Sequence, residues 1–250
     1  MNKFLFSFCF LLIMNTSSFS QDWLANQLQQ PRVSVANLSR YNNVVSLFNT
    51  KSIKFPSNRI FWRAMKWNKV LELWAFSDDS SKYVLIKSFS ICETIGDLGP
   101  KRQEGDFQIP EGFYYIENFN PCSKYHLSLK ISYPNESDRI LGNKEKLGGD
   151  IYIHGGCETI GCLPMTDSVM ETIYLINIYA KAVGQEQIPI HIYPTKLTLN
   201  NFNKMKKDYF SGKQEILDFW TNLKEGYEYF DKKRLLPSIT VDESGKYKFF

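Results

Sequence analysis

Between Arg59 and Pro194 the chain is cut into short runs rich in Trp, Phe, Tyr, Ile and Leu, each bounded by turn residues. That pattern restricts the segment to a β-rich fold, because strands need only a few residues and helices need sustained 3.6-residue spacing. Ile60–Met65 and Val70–Phe76 flank Lys66-Trp67-Asn68-Lys69 and read as a hairpin. Tyr83–Ile91 is a third strand and Phe113–Ile116 a fourth. His126–Ser132 alternates through Leu127, Leu129 and Ile131. Ile151-Tyr152-Ile153 is a short strand of the buried type, and Ile188–Tyr193 is the last strand expected. Two stretches interrupt the series. Ser137–Gly149 is polar, and Gly96–Gly112 holds Gly96, Gly99, Pro100, Gly105, Pro110 and Gly112. Loop chemistry over so long a stretch inside a compact domain points to function.

Helical spacing lies on both sides. Residues 21–58 are polar with scattered apolar positions, among them Trp23, Val33, Val44 and Phe48, and read as one or two lead-in helices. Thr166 or Ser168 can cap a helix that runs to about Ala182, with Ser168 and Glu171 as a capping-box pair and Gly184 as its stop. The tail is amphipathic through Phe202, Met205 and Tyr209, and again through Ile216, Phe219, Trp220, Leu223, Tyr227 and Phe230. The expected organisation is a leader at 1–20, a helical lead-in at 21–58, a β-rich domain at 59–195 and a helical extension at 196–250. The tail is expected to pack outside the domain rather than to act as a lid. With 43% hydrophobic and 15% aromatic residues, the chain can build its core without staples.

Met1–Ser20 reads as a secretory signal. Lys3 is its only charge, Phe4–Met14 is an apolar run, and Ser18-Phe19-Ser20 offers small residues for cleavage. The run is too short for a stable membrane anchor, and Cys9 lacks the context of a lipid-attachment site. The net charge of +4 is small and no basic run carries interleaved aromatics, so nucleic acid is not an expected partner. A mildly basic exported protein suits an anionic polymer such as a cell wall. Four cysteines follow the leader: Cys92, Cys122, Cys157 and Cys162. Export favours disulfides. If one thiol is catalytic, at most one internal pair remains, and the pairing among Cys92, Cys122 and Cys157 stays open.

The chemistry concentrates in His154-Gly155-Gly156-Cys157-Glu158-Thr159-Ile160-Gly161-Cys162. A thiol attacks only as thiolate, so a catalytic cysteine needs a base or a positive environment. His154, at a strand end, can supply the base. The helix start just after Cys162 can favour negative charge. N–H groups around Gly161 and Cys162, in a turn with Thr159 and Gly155, can hold an oxyanion. Other readings compete on residue chemistry alone: a structural His154, a Cys157–Cys162 disulfide, or metal ligation. Three ligands fall short of a structural zinc set, so no metal is expected.

These residues resemble the L,D-transpeptidase catalytic domain (YkuD-type) family, and within it the YafK-like murein branch. The resemblance rests on Ile153-His154-Gly155, on Thr159-Ile160-Gly161-Cys162 and on Met165-Thr166-Asp167. It extends upstream through Leu98-Gly99-Pro100-Lys101-Arg102 and Pro110-Glu111-Gly112-Phe113-Tyr114, and to Ser132-Tyr133-Pro134-Asn135. Many members carry Cys-x-Arg after the nucleophile; here Leu163-Pro164 stands there, so that Arg has no counterpart. The resemblance implies a mostly β fold with flanking helices, an L,D-transpeptidase-like β-sandwich or barrel, with a helix after the cysteine. It implies Cys162 as nucleophile, His154 as base, and peptidoglycan stem peptides as substrate in the periplasm, with no cofactor. Wall-linked lipoprotein is a further partner it suggests. The thioester can pass to an amine, which cross-links or attaches a protein, or to water, which makes a peptidase. A module that only binds the wall is the rival from another class. Lys101 and Arg102 are candidates to meet substrate carboxylates, against a reading as a solvated pair. Tyr152 is a candidate to line the groove. His126 and His191 fall in strand patterns and read as structural. Cys157 is given a structural or neutral role.

Overall fold

A computed structural model describes residues 21–209 and 214–250; the expected leader lies outside the described residues. The lead-in forms two helices, α1 at residues 21–28 and α2 at Pro31–Asn49. Pro31 suits the first turn of α2 because its missing N–H would have no helical partner there. The strands follow: β1 Ile60–Met65, β2 Val70–Ser77, β3 Lys82–Ser90, β4 Gly112–Asn120 and β5 Ser128–Ile131. Then come α3 Glu136–Leu141, β6 Tyr152–His154, β7 Leu163–Pro164, α4 Asp167–Ala182 and β8 Ile188–Tyr193. Beyond them lie α5 Leu199–Tyr209, α6 Gln214–Lys233, β9 Ile239–Val241 and β10 Tyr247–Phe249.

Eight strands form one sheet in the order β3-β2-β1-β8-β4-β5-β6-β7. The pairs β1·β8 and β6·β7 are parallel, and the others are antiparallel. The sheet curls until its two edges meet. Just past β3, the Cys92 N–H donates to the Pro164 carbonyl of β7 at 2.9 Å. A Cys92–Cys157 disulfide joins the same two edges. The barrel expectation is thus met by an open sheet fastened at one corner.

All six residues of β1 are buried, which requires cover on both faces. On one face Trp62 donates to Asn177 of α4 at 3.1 Å, and Val44 and Phe48 of α2 share that core. On the other, Phe61 and Trp74 pack on Phe230 of α6. The tail therefore supplies a layer of the fold. Trp220, Leu223 and Phe230 of α6 are fully buried, each contributing roughly 1.5–3 kcal/mol. Asn222 also ties α6 to the terminal hairpin by bonds to and from the Tyr247 backbone. That hairpin, β9–β10, has no counterpart in the all-helical tail read from the sequence, because each strand is only three residues long.

Three local expectations need correction. The N-cap of α4 is Thr166, whose hydroxyl accepts from the Val169 N–H. The Ser168–Glu171 box does not form, because Glu171 is drawn to Arg40 and His126 instead. His126 sits before β5 in a turn with φ of 68°, not in a strand, and its carbonyl accepts from Arg32. Ser137–Gly149 is not all loop: α3, which starts at Glu136, runs into it as far as Leu141, with Asn135 and Asp138 forming a capping box.

Candidate active site

β6 and β7 lie side by side in parallel, Ile153 beside Leu163 and His154 beside Pro164. Residues 155–162 alone make the return, well below the roughly dozen residues that parallel connections usually take. So tight a return needs close backbone approach. A Cβ on Gly155 would stand 2.6 Å from the Asp167 carboxylate and 2.8 Å from the Tyr125 carbonyl. Gly161 adopts φ of 130°, open to glycine and strained for other residues.

Thr159 clamps the turn. Its hydroxyl accepts from the N–H of Cys162 at 2.8 Å and of Gly161 at 3.2 Å, and donates to the Cys162 carbonyl at 3.0 Å. Asp167, at the first position of α4, accepts from the Gly156 N–H at 2.8 Å. Thr159, Gly155 and Gly161 are thus turn residues. The expectation that the Gly161 and Cys162 N–H groups are open to an oxyanion fails, because Thr159 takes both. The helix-start expectation fails too: β7 separates Cys162 from α4, whose first turn is served by Thr166 and Asp167.

Cys162 is a free thiol, partly exposed. Its Sγ lies 3.9 Å from the Asp150 carbonyl. Burial pushes its pKa up from the ordinary 9.0, while the backbone N–H of Tyr152 and the charge of Lys101 favour the thiolate. Tyr152 accordingly meets the sulfur through its backbone. Its half-buried side chain only reaches Asp150, at 3.5 Å.

His154 is buried, its ring packed on Tyr125 with centroids 4.7 Å apart. Nδ1 lies 2.7 Å from the Gly155 carbonyl. A carbonyl only accepts, so Nδ1 carries the proton and Nε2 keeps the lone pair. Burial lowers the His154 pKa below 6.5. At rest the thiol and the imidazole are therefore both neutral, with no hydrogen bond between them among those described.

Lys101 and Arg102 are not a solvated pair. Lys101 is 5% exposed and bonds Asp106 at 2.6 Å and the Gln103 carbonyl at 2.9 Å. Arg102 bonds Asp138 at 3.3 Å and lies over the Phe219 ring. Asp106 is the hub that sequence reasoning missed. Besides Lys101 it accepts from the N–H groups of Arg102, Gln103 and Gln108. Burial works to raise its pKa, but these bonds hold it below 3.8. An Asp in a Gly-rich loop is common, so only its spacing to four donors could have marked it.

The loop bears on the site, since the Gln108 carbonyl is 3.0 Å from where a Gly161 Cβ would stand. Cys157 is spent in the bond to Cys92, across 65 residues of sequence, which removes it as partner or rival of Cys162. Cys122 is exposed and free. Fully buried His191, between Phe61 and Phe113, is pushed down to about 3 by burial and then by Arg63.

No family model matches the chain. A relative does: the Escherichia coli (strain K12) protein named "Putative L,D-transpeptidase YafK" is 34% identical over 190 residues, which cover 75% of this chain and 72% of the relative. The chain belongs to the YafK-like L,D-transpeptidases. The protein of the same name from Escherichia coli O157:H7 matches with the same figures. Among solved structures, the helical cell shape determining protein Pgp2 from Campylobacter jejuni aligns with a TM-score of 0.43 at 20% identity, over 75% of this chain and 74% of that one. Bdellovibrio bacteriovorus Bd1075 aligns with a TM-score of 0.39 at 17% identity, over 69% and 62%. For a member of the YafK-like L,D-transpeptidases, the departure worth noting is Leu163-Pro164. These residues form β7, and both are buried. Among the described residues no helix is long and apolar enough to cross a membrane.

Proposed function

We propose that the protein is an exported, periplasmic peptidoglycan L,D-transpeptidase that works through a thioester on Cys162. The observation that carries this reading is the pairing of β6 with β7. It sets a free, partly exposed thiol beside the strand that ends on His154, whose Nδ1 is occupied and whose Nε2 is left to exchange a proton.

In the first half-reaction the Cys162 thiol gives its proton to His154 Nε2 as sulfur attacks the carbonyl of the third residue of a tetrapeptide stem. The Tyr152 N–H, which already faces the sulfur, steadies negative charge there. Collapse of the tetrahedral adduct breaks the peptide bond, and His154 returns the proton to the leaving amine. In the second half-reaction His154 takes a proton from the acceptor amine, which displaces Cys162 and regenerates the thiol. Water in place of the amine gives hydrolysis, including release of a wall-linked protein.

Mass analysis of tetrapeptide-containing muropeptides incubated with the mature chain, with and without an amine acceptor, tests the reading. Transfer product with wild type and none with Cys162→Ala is expected. Product that persists in Cys162→Ala rejects the mechanism. Product that ignores the amine makes the protein a hydrolase.

A further inference from the structure

Residues 121–126 lead into β5 as a turn, and two helices grip it. Arg32 of α2 donates to the carbonyl of Ser123 and, at 2.6 Å, to that of His126. Glu171 of α4 meets the His126 ring at 3.1 Å. Within the turn, the Ser123 hydroxyl accepts from the Tyr125 N–H at 3.2 Å. The left-handed φ of 68° at His126 sharpens the bend. Tyr125 therefore stands on a backbone held both before and after it.

The turn delivers Tyr125 to His154. The two rings lie with centroids 4.7 Å apart and planes inclined by 31°. This approach depends on Gly155, where a Cβ would stand 2.8 Å from the Tyr125 carbonyl and 2.9 Å from the His126 side chain. The Tyr125 ring also reaches over Gly156, 3.7 Å from where a Cβ would be. His154 is 3% exposed and Tyr125 37%, so the phenol ring is a layer between the imidazole and solvent. Tyr125 belongs to no core cluster, and no hydrogen bond from its hydroxyl is among those described. Its other described ring contact is exposed Lys124, whose Nζ is 5.1 Å from the centroid. What the ring packs on, then, is His154.

An imidazole on a single bond turns easily about χ2, and a neutral one can carry its proton on either nitrogen. The Nδ1 contact to the Gly155 carbonyl at 2.7 Å fixes the edge of the ring. Contact with a second ring fixes its face. Together they leave Nε2 one direction. The charged groups nearby do not set the state of His154. Asp167 of α4 is committed to the Gly156 N–H, Lys124 stands over the Tyr125 ring, and Cys162 is a neutral thiol. Burial lowers the His154 pKa against the pull of the Gly155 bond, and the Tyr125 ring supplies part of that burial.

We infer that Tyr125 is a positioning residue for the proposed reaction: its ring, acting through His154, holds the imidazole in one orientation and shields it from water. The inference rests on His154 as the base and names the side chain that keeps that base aimed. The ring acts rather than the hydroxyl, so phenylalanine should serve as well.

The test uses the mature full chain labelled with ¹⁵N-histidine, with the His154 signal assigned by its loss in His154→Gln. In wild type, His154 is expected to show the Nδ1–H tautomer and to titrate below 6.5. In Tyr125→Ala the signal should become that of mixed tautomers and its midpoint should rise towards 6.5, while Tyr125→Phe keeps both wild-type readings. Circular dichroism melts of both variants should match wild type, since the ring lies outside the core clusters. On tetrapeptide, Tyr125→Ala is expected to lower kcat by about ten- to a hundredfold, the scale of a misaimed group, with KM little changed. Tyr125→Phe should restore the rate. An unchanged tautomer and midpoint in Tyr125→Ala would overturn the inference. So would a Tyr125→Phe protein as slow as Tyr125→Ala, or a loss confined to KM, which would make Tyr125 a substrate contact. If wild type turns over no tetrapeptide, the proposed reaction fails, and the histidine spectra still decide whether Tyr125 orients His154.

Discussion

Two motif-bearing loops meet at the candidate site and are built on opposite principles. Residues 154–162 are held without an ion pair among those described: by the Thr159 hydroxyl, the Asp167 carboxylate on the Gly156 N–H, backbone amides and a disulfide. Residues 96–112 are built on buried ions. Lys66 Nζ bonds Glu111 at 3.0 Å and two carbonyls, while the other Glu111 oxygen accepts from Trp220 of α6 at 2.6 Å. Glu111 is fully buried and also accepts from the Gly99 N–H at 2.9 Å. The first loop leaves a sulfur free to react. The second ties its signature charges Lys101, Arg102 and Glu111 into internal ion pairs. Family signatures therefore do not all mark chemistry.

The contrast can be broken most sharply by two substitutions. Cys162→Ala is expected to lower transfer by about 10³-fold or more, the scale seen when a nucleophile is deleted, while thermal unfolding by circular dichroism stays unchanged. Glu111→Gln is expected to do the reverse of leaving the fold intact. It strands the Lys66 charge, and breaking such a buried pair costs about 3–5 kcal/mol. At about 2–4 °C per kcal/mol for a chain of this size, the melting temperature should fall clearly. A Glu111→Gln protein that melts like wild type would erase the distinction between the loops.

Losing the fastening at the sheet corner should come next. Cys92→Ala opens a disulfide spanning 65 residues. Such a crosslink contributes about 2–4 kcal/mol. Urea unfolding should register that loss while Cys162 still takes up an alkylating probe. A smaller effect is expected at the clamp: Thr159→Val leaves two N–H groups without their acceptor, about 1–3 kcal/mol of local destabilisation. Slower transfer with a nearly normal melting temperature would be its mark, and Thr159→Ser should restore the rate.

The mildest probe is pH. Burial holds His154 below 6.5, so its imidazole stays neutral, and able to take the thiol proton, as pH falls to that value. The rate of acylation should therefore stay level across neutral pH and decline only on the acid side of 6.5. Burial also raises Cys162 above 9.0, so in His154→Ala alkylation should need alkaline solution. A profile that already falls at pH 7.5 would show a base of ordinary or raised pKa.

Much of the frame is legible in the residues. The β1–β2 hairpin pairs Ile60 with Ala75 through Met65 with Val70 around the expected turn. The helix expected after the cluster forms and closes near Gly184. What misled were residues whose options are equal locally. Thr166 and Ser168 are both competent caps, and the choice fell to Thr166 once Arg40 and His126 had claimed Glu171. Lys101 and Arg102 read as open cations, since nothing in their neighbourhood says that Asp106 and Asp138 will turn to meet them.

The sequence by itself determined strands, turns and the tight glycine return that brings Cys162 back alongside β6. These follow from periodicity and steric freedom over a few residues. Only the tertiary structure decided that Cys157 pairs with Cys92, that Cys162 stays free, and that the Gly161 and Cys162 amides serve Thr159 instead of a substrate. Each of these depends on which distant edges meet when the sheet curls, a matter of packing that no local stretch of sequence encodes.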